Sequence, residues 1–98
     1  MVIQVIGQSF DVGEALTEHV KSTLEKKMQK YNQEIISANV IFSQAPHKKV
    51  LNSIKIQLKI GDFFTKSEED DAYLSFNSSM NDIETQILKN LEKIKSHK

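Results

Sequence analysis

Seven apolar residues near the C-terminal end, Tyr73, Phe76, Met80, Ile83, Ile87, Leu91 and Ile94, recur at spacings of three and four. At about 100° per residue they fall inside one stripe, so residues 71–94 can bury them together only as an amphipathic helix. Such a helix, roughly 24 residues, is about 36 Å long and crosses a small domain from edge to edge. It cannot hide that stripe alone, so the rest of the chain must supply a surface for it to lie on. Four acids at residues 68–71 lead into it. Asp70 or Asp71 is the expected N-cap, and the acidic run suits the positive end of the helix. Opposite the stripe, Lys89 and Lys93 sit together, and Lys95 and Lys98 follow.

The surface is read from the front of the chain. Residues 2–6 set Ile3 and Val5 against Gln4 and read as a strand that Gly7 ends. Leu16, Val20, Leu24, Met28 and Tyr31 then keep a helical period, with Tyr31 expected to close the core. Gly13 is the expected N-cap, Asp11 competes with it, and Glu14 favours the positive helix end. Lys27 falls inside this stripe near its end: either its stem lies along apolar surface while its ammonium reaches water, or the helix is already leaving the core there. Asn32 breaks the pattern. Ile36, Ala38, Val40 and Phe42 alternate with Ser37, Asn39 and Ser43 as a second strand. Ala45, Pro46 and His47 make a turn, with Lys48 and Lys49 at its tip. Ile54, Ile56, Leu58 and Ile60 alternate with Lys55, Gln57 and Lys59, a strand apolar on one face and basic on the other. Gly61 and Asp62 read as a hairpin turn, and residues 63–67 as a short last strand.

The order is β-α-β-β-β-α. A right-handed crossover makes the first two strands parallel neighbours, and two hairpins follow. The expected fold class is α+β: a two-layer sandwich, a four-stranded mixed sheet with both helices on one face and water on the other. No repeat or linker interrupts the pattern, and residues 1–98 are expected to form one domain.

Composition narrows the chemistry. With 39% hydrophobic residues among 98, the chain can bury one modest core. It has no cysteine, which removes disulfides, thiolate nucleophiles and zinc-thiolate sites. The apolar start at residues 1–6 is too short, and is broken by Gln4, to predict a secretory leader. No stretch approaches the roughly 18 apolar residues of a membrane span, so a cytoplasmic location is expected. Formal net charge is zero, but the charges are unevenly spread. Residues 1–60 hold eight lysines and five acids, and residues 61–98 hold five lysines and eight acids. Four of the last ten residues are lysine. Local patches of this kind decide binding more than the net value does. All thirteen basic residues are lysine, a point charge for phosphate without the planar fork that reads bases. Nucleic-acid contact should therefore favour backbone and shape over sequence.

Several clusters have two readings. Lys89, Lys93, Lys95 and Lys98 suit an RNA-phosphate patch, and they equally suit a solvated helix end, where cations favour the negative dipole. Lys26 and Lys30, at i and i+4, divide in the same way. Lys48 and Lys49 either contact a partner or solubilise their turn. Lys55, Gln57, Lys59, Phe64 and Lys66 suggest a base-stacking platform. With one aromatic available, they read instead as a wet sheet face guarded by lysine. The acids at 68–71 lack calcium-loop spacing and read as a helix cap. His19, His47 and His97 lack metal-ligand spacing, and His19 reads as a partly buried packing residue. No nucleophile beside a base, no metal set and no phosphate loop appears, so neither an enzyme nor a cofactor is expected.

The carrying residues of a family pattern run the full length of the chain. They are Gly7, Ala15 and Leu16, Val20, Leu24, Lys26, the strand Val40-Ile41-Phe42, Gly61 and Asp62, Ser67 and Glu68, Asp71, Tyr73, Gln86 and Lys89, with the tail at residues 91–97. In this registration the chain resembles the ribosome hibernation-promoting factors and ribosome-associated translation inhibitors. The resemblance implies binding to the small ribosomal subunit in its decoding region. Lysines would contact rRNA phosphates, and the protein would block translation by occupying the mRNA and tRNA channel in stationary phase or stress. The rRNA-binding candidates are Lys26, Lys30, Lys89, Lys93 and Lys95, with Lys21, Lys48 and Lys49. The chain ends just past the last helix, like the short hibernation-promoting form that favours ribosome dimers with a partner factor. No membrane and no small-molecule substrate are implied. The family often carries basic residues where this chain has Gln8, Ser22, Thr23, Asp82, Thr85 and Leu88, which weakens the patch on the last helix. A rival reading keeps the fold as a protein-interaction or self-association module with RNA binding weakened or lost.

Overall fold

The computed structural model describes residues 2–96, with side chains described from 2 through 93. Ile94 in the apolar stripe and the side chain of Lys95 lie outside the described residues, as do His97 and Lys98. Strand β1 (Val2–Gln8) is followed by helix α1 (Gly13–Lys30), strand β2 (Ile35–Gln44), a short 3₁₀ turn (Pro46–Lys48), strands β3 (Val50–Leu58) and β4 (Gly61–Glu69), and helix α2 (Ala72–Ser96). The strands lie in sheet order β1-β2-β3-β4. β1 and β2 are parallel, and the other two pairings are antiparallel. This is the expected α+β sandwich with both helices on one sheet face.

Alternation decides what each strand buries. Ala38, Val40 and Phe42 of β2, Ile54, Ile56 and Leu58 of β3, and Phe63 of β4 point into the core. Leu16, Val20, Leu24 and Met28 of α1, and Phe76, Met80, Ile83 and Ile87 of α2, close over them. Ile3, Val5, Tyr31 and Leu91 pack at the margin of this cluster.

The edge strand β4 is joined to α2 by side chains as well as by packing. Thr65 Oγ1 donates to the Ser79 carbonyl at 3.1 Å. Ser67 Oγ donates to the Ser75 carbonyl at 2.6 Å. Its one proton is then committed, so the 2.7 Å contact between the Ser67 and Ser79 hydroxyls is donated by Ser79. Gln86 Nε2 donates to the Phe64 carbonyl at 3.0 Å. These bonds satisfy polar groups that would otherwise be costly to bury at an open sheet edge.

Several expectations are corrected. β1 does not end at Gly7; it continues to pair through Gly7↔Phe42 and Gln8↔Ser43. Gly7 is there because the loop after it folds back tightly: a Cβ at this position would lie 2.0 Å from the Phe10 carbonyl oxygen and 2.9 Å from Val12 Cγ2. That return brings the Phe10 ring within 6.0 Å of Phe42. Neither Gly13 nor Asp11 caps α1. Val12 occupies the cap position with no side-chain cap bond, and Gly13 opens the helix at φ +72°. At the other end Asn32 takes φ +54°. This lets the Gln33 amide donate back to the Met28 carbonyl at 2.8 Å and stops the helix.

Ile35, not Ile36, enters the core. A register shift between Ile35 and Ser37 adds a residue to β2 and leaves Ile36 43% exposed. The β3–β4 turn is Lys59-Ile60 rather than Gly61-Asp62, because Leu58 pairs with Gly61. Phe63 must face inward opposite Ile56, and that register leaves only two residues for the loop. The last strand is also longer than expected, reaching Glu69. Asp71 caps α2, its Oδ1 accepting the Leu74 amide at 2.9 Å. Tyr73 is 44% exposed rather than core, lying against His19 at 5.1 Å between ring centroids.

Gly7→Ala is expected to cost about 2 kcal/mol or more, because the new methyl group meets backbone that cannot swing aside. Urea denaturation reads this as a lower midpoint; an unshifted midpoint would show that the loop yields freely.

Candidate functional site

The two helices run in the same direction. Near their N-terminal ends His19 of α1 meets Tyr73 and Phe76 of α2. Near their C-terminal ends Lys27 and Tyr31 meet Glu84. Both helices are antiparallel to β4, so their C-terminal ends share one end of the sandwich with the Lys59-Ile60 turn. Lys59 lines a recess there with Gln29, Asn32, Gln33 and Glu34. The sandwich thus gathers Lys26, Lys27, Lys30, Lys59, Lys89 and Lys93 toward one end, although they come from three separate stretches of sequence.

Within that end the lysines form two rows. Lys26 and Lys30 are exposed on the side of α1 that His19 and Lys27 turn toward α2. Lys89 and Lys93 are exposed on the opposite flank of α2, the flank on which Gln86 reaches the β4 edge. α2 itself separates the rows by about one helix diameter, ~10 Å. Between α1 and α2, a groove of about 580 Å³ is lined by Lys30, Tyr31, Asn32, Leu88, Leu91 and Glu92. Leu88 stands 42% exposed on its rim. Asp82 and Thr85 are exposed on the outer side of α2, and the Thr85 hydroxyl donates back to the Asn81 carbonyl at 3.0 Å.

Lys48 and Lys49 lie at the other end. Val50 pairs with Glu69 there, beside the start of α2. Lys49 Nζ is bonded to the Asp70 carboxylate, and that bond together with its charge holds the ammonium above its ordinary pKa. Lys21 is placed apart from both groups. By helical spacing it shares the outer flank of α1 with Glu14, Glu18 and Glu25.

A partly buried cluster bridges the helices at the lysine-rich end. Lys27 Nζ lies 2.9 Å from Glu84 Oε1, and the Tyr31 hydroxyl donates to Glu84 Oε2 at 2.7 Å. Lys30 Nζ sits 5.5 Å from the Tyr31 ring centroid. Burial pushes the Glu84 carboxyl upward. The Tyr31 hydroxyl, the Lys27 ammonium and the field of Lys30 together outweigh burial and hold it below the usual carboxylate range. The hydrogen bond to Glu84, then burial, raise the Tyr31 phenol. Glu84 was not among the sequence candidates, and Lys59 appeared there only as part of the sheet face. Glu84 left a signal, an acid at the edge of the α2 stripe matching the lysine inside the α1 stripe. Lys59 left none, because its place at this end depends on where the hairpin turns.

Chemically the arrangement is a set of cations on a rigid frame, suited to a polyanion. Among the described residues no three His, Asp or Glu side chains converge as a metal site. No described helix is long and apolar enough to cross a membrane.

Residues 3–95 match the family described as sigma 54 modulation protein / S30EA ribosomal protein. Among solved structures, the chain is similar to the N-terminal domain of Protein Y from Thermus thermophilus. The TM-score is 0.78 at 26% identity, covering 89% of this chain and 96% of that one. It is also similar to a ribosomal subunit interface protein from Coxiella burnetii. Here the TM-score is 0.73 at 29% identity, covering 91% and 96%. No curated protein matches the chain significantly.

A depressed Glu84 pKa means that the fold favours the carboxylate. Its stabilisation is present above the unfolded value and fades as pH falls through the folded one. Glu84→Gln is therefore expected to cost about 1 kcal/mol at neutral pH, a figure reduced for the part-exposed Lys27. The gap from the parent should close once pH drops below the ordinary carboxylate range. Parallel denaturation series across pH would show this, and a gap that is constant at every pH would contradict it.

Proposed function

The chain belongs to the sigma 54 modulation protein / S30EA ribosomal protein family, and from that premise we propose that it is a hibernation factor that docks on the small ribosomal subunit. It is a ribosome-associated protein rather than an enzyme. The observation that carries the finer reading is the gathering of Lys26, Lys30, Lys59, Lys89 and Lys93 at one end of the sandwich. Occupancy is the whole mechanism. A rigid domain held by rRNA phosphates in the decoding region leaves no room for mRNA and tRNA, and no bond is made or broken. The cell compartment of such a factor is the cytoplasm.

Electrostatic range sets how the lysines share the work. Fixed charges are screened beyond about 8 Å at physiological salt. The two rows, ~10 Å apart, therefore act on different phosphates, and RNA has to straddle α2 to meet both. Lys48 and Lys49 stand most of the length of α2 away from Lys89 and Lys93, roughly 30 Å at about 1.5 Å per residue, and act as an independent contact. Asp70 already holds Lys49, so Lys48 is the more available of that pair. Asp82 on the flank of Lys89 opposes phosphate there.

Co-sedimentation with separated ribosomal subunits across a salt series tests the reading, beside a cell-free translation assay. Binding to the small subunit should weaken steeply with salt, with translation falling as sites fill. Lys26→Glu with Lys30→Glu, and Lys89→Glu with Lys93→Glu, should each flatten the logarithmic salt dependence by about two units. Small-subunit binding that survives all four changes would rule out the helix ends as the interface. A salt-insensitive self-association without ribosome affinity would favour the protein-interaction module instead.

A further inference from the structure

The open face of the sheet takes no part in the reading above. Its most exposed large apolar side chain is Phe64 on β4, at 57%. Register places Lys55 of β3 directly opposite Phe64, and Asn39 of β2 beyond Lys55. In the next row Lys66 of β4 stands opposite Ser53, with Ile41 beyond it. Lys66 is two residues from Phe64 along the strand, about 7 Å. These two middle rows contain no acid, and the acids of β4 that share this face, Asp62 and Glu68, lie in the outer rows. An exposed ring thus lies beside two exposed lysines, in rows whose other members are neutral polar side chains and the aliphatic Ile6 and Ile41.

Edge protection explains only part of this. A lysine on an edge strand keeps another sheet from adding there, which accounts for Lys66. Lys55 is on β3, which is paired on both sides, so it guards no edge. Nor does protection call for a phenyl ring beside it, which adds apolar surface where solubility would remove it.

We propose that this face binds single-stranded nucleic acid, with one unpaired base stacked on Phe64 and the flanking phosphates on Lys55 and Lys66. Stacking on an aromatic ring suits any base, and lysines across from the ring and two residues along its strand meet the backbone charge. A duplex keeps its bases stacked on one another and has no free ring face to offer. An acidic protein segment would satisfy the lysines and leave the ring unused. The site shares no residue with the helix-end lysines and stands apart from the hibernation reading.

The chain has no tryptophan, so Phe64→Trp creates a single fluorophore on the proposed stacking surface. Its emission should be quenched saturably by decauridylate, and much less by an RNA duplex of equal length. Phe64→Ala, at an exposed position that leaves the core intact, should weaken decauridylate binding about tenfold in an anisotropy titration. Lys55→Gln with Lys66→Gln should lower its logarithmic salt dependence by about 1.4 units. Full affinity in Phe64→Ala overturns the proposal. So does equal affinity for the duplex, or loss of decauridylate binding in the helix-lysine variants alone. Decauridylate binding that depends on Phe64, in a protein that fails to bind ribosomal subunits, would uphold this site while refuting the hibernation reading.

Discussion

Phe76, Met80, Ile83 and Ile87 of α2 leave water almost completely against the sheet, at about 2 kcal/mol for each fully buried side chain. That seam determines the position of nearly every other group. Once α2 lies along β3 and β4, the hydroxyls of Thr65, Ser67, Ser75 and Ser79 bond to helix carbonyls or to one another, because little water reaches this seam. α1 shares the same core and is tied to α2 through the Lys27-Tyr31-Glu84 cluster. The direction of α2, opposite to β4, then carries its C-terminal end back to the β3–β4 turn. The lysine-rich end of the molecule follows from that packing.

A chain of zero formal charge can present a cationic surface because the fold sorts its charges. The acids at residues 68–71 stay at the start of α2, where they favour the helix dipole and neutralise Lys49. Lys26, Lys30, Lys89 and Lys93 collect at the ends where both dipoles are negative. Helix stability and phosphate binding therefore ask for the same residues in the same place. Glu84 does not cancel the patch. It is held by Lys27 and Tyr31, neither of which is a proposed phosphate contact. Leu88 at the groove rim and Asp82 on the flank of Lys89 make α2 less basic. In the proposed docking, affinity then depends on RNA that reaches both sides of that helix.

The two faces of the sandwich differ in kind. The helix face combines rigid cations with an inter-helix groove and suits folded RNA, whose phosphates are fixed in space. The sheet face has one exposed ring and two lysines at strand spacing, which suits a flexible strand able to turn a base outward. The two surfaces share no residue, and the Gln86–Phe64 bond at the β4 edge marks where they meet.

Periodicity alone determined the element order, the parallel first pair, the mixed sheet and the one-sided helix layer. Those features follow from which residues must leave water, and the stripes of α1, β3 and α2 state that directly. An aspartate cap on α2, narrowed to Asp70 or Asp71, and Asn32 as the stop of α1 were legible for the same local reason. Where the sequence misled, a tertiary constraint prevailed over a local one. Ile35 replaced Ile36 because a register shift changed which residues of β2 face inward. The hairpin turned at Lys59-Ile60 because Phe63 had to meet Ile56. Gly7 was needed for a close loop, not for ending a strand. Only the tertiary structure decided how the lysines group, because their rows depend on helix direction and strand register across residues far apart in the chain. It brought Lys59 to the helix ends, sent Lys48 and Lys49 to the opposite end, and set Lys55 beside Phe64, since distance in space between charges is fixed by packing and has no counterpart in sequence spacing.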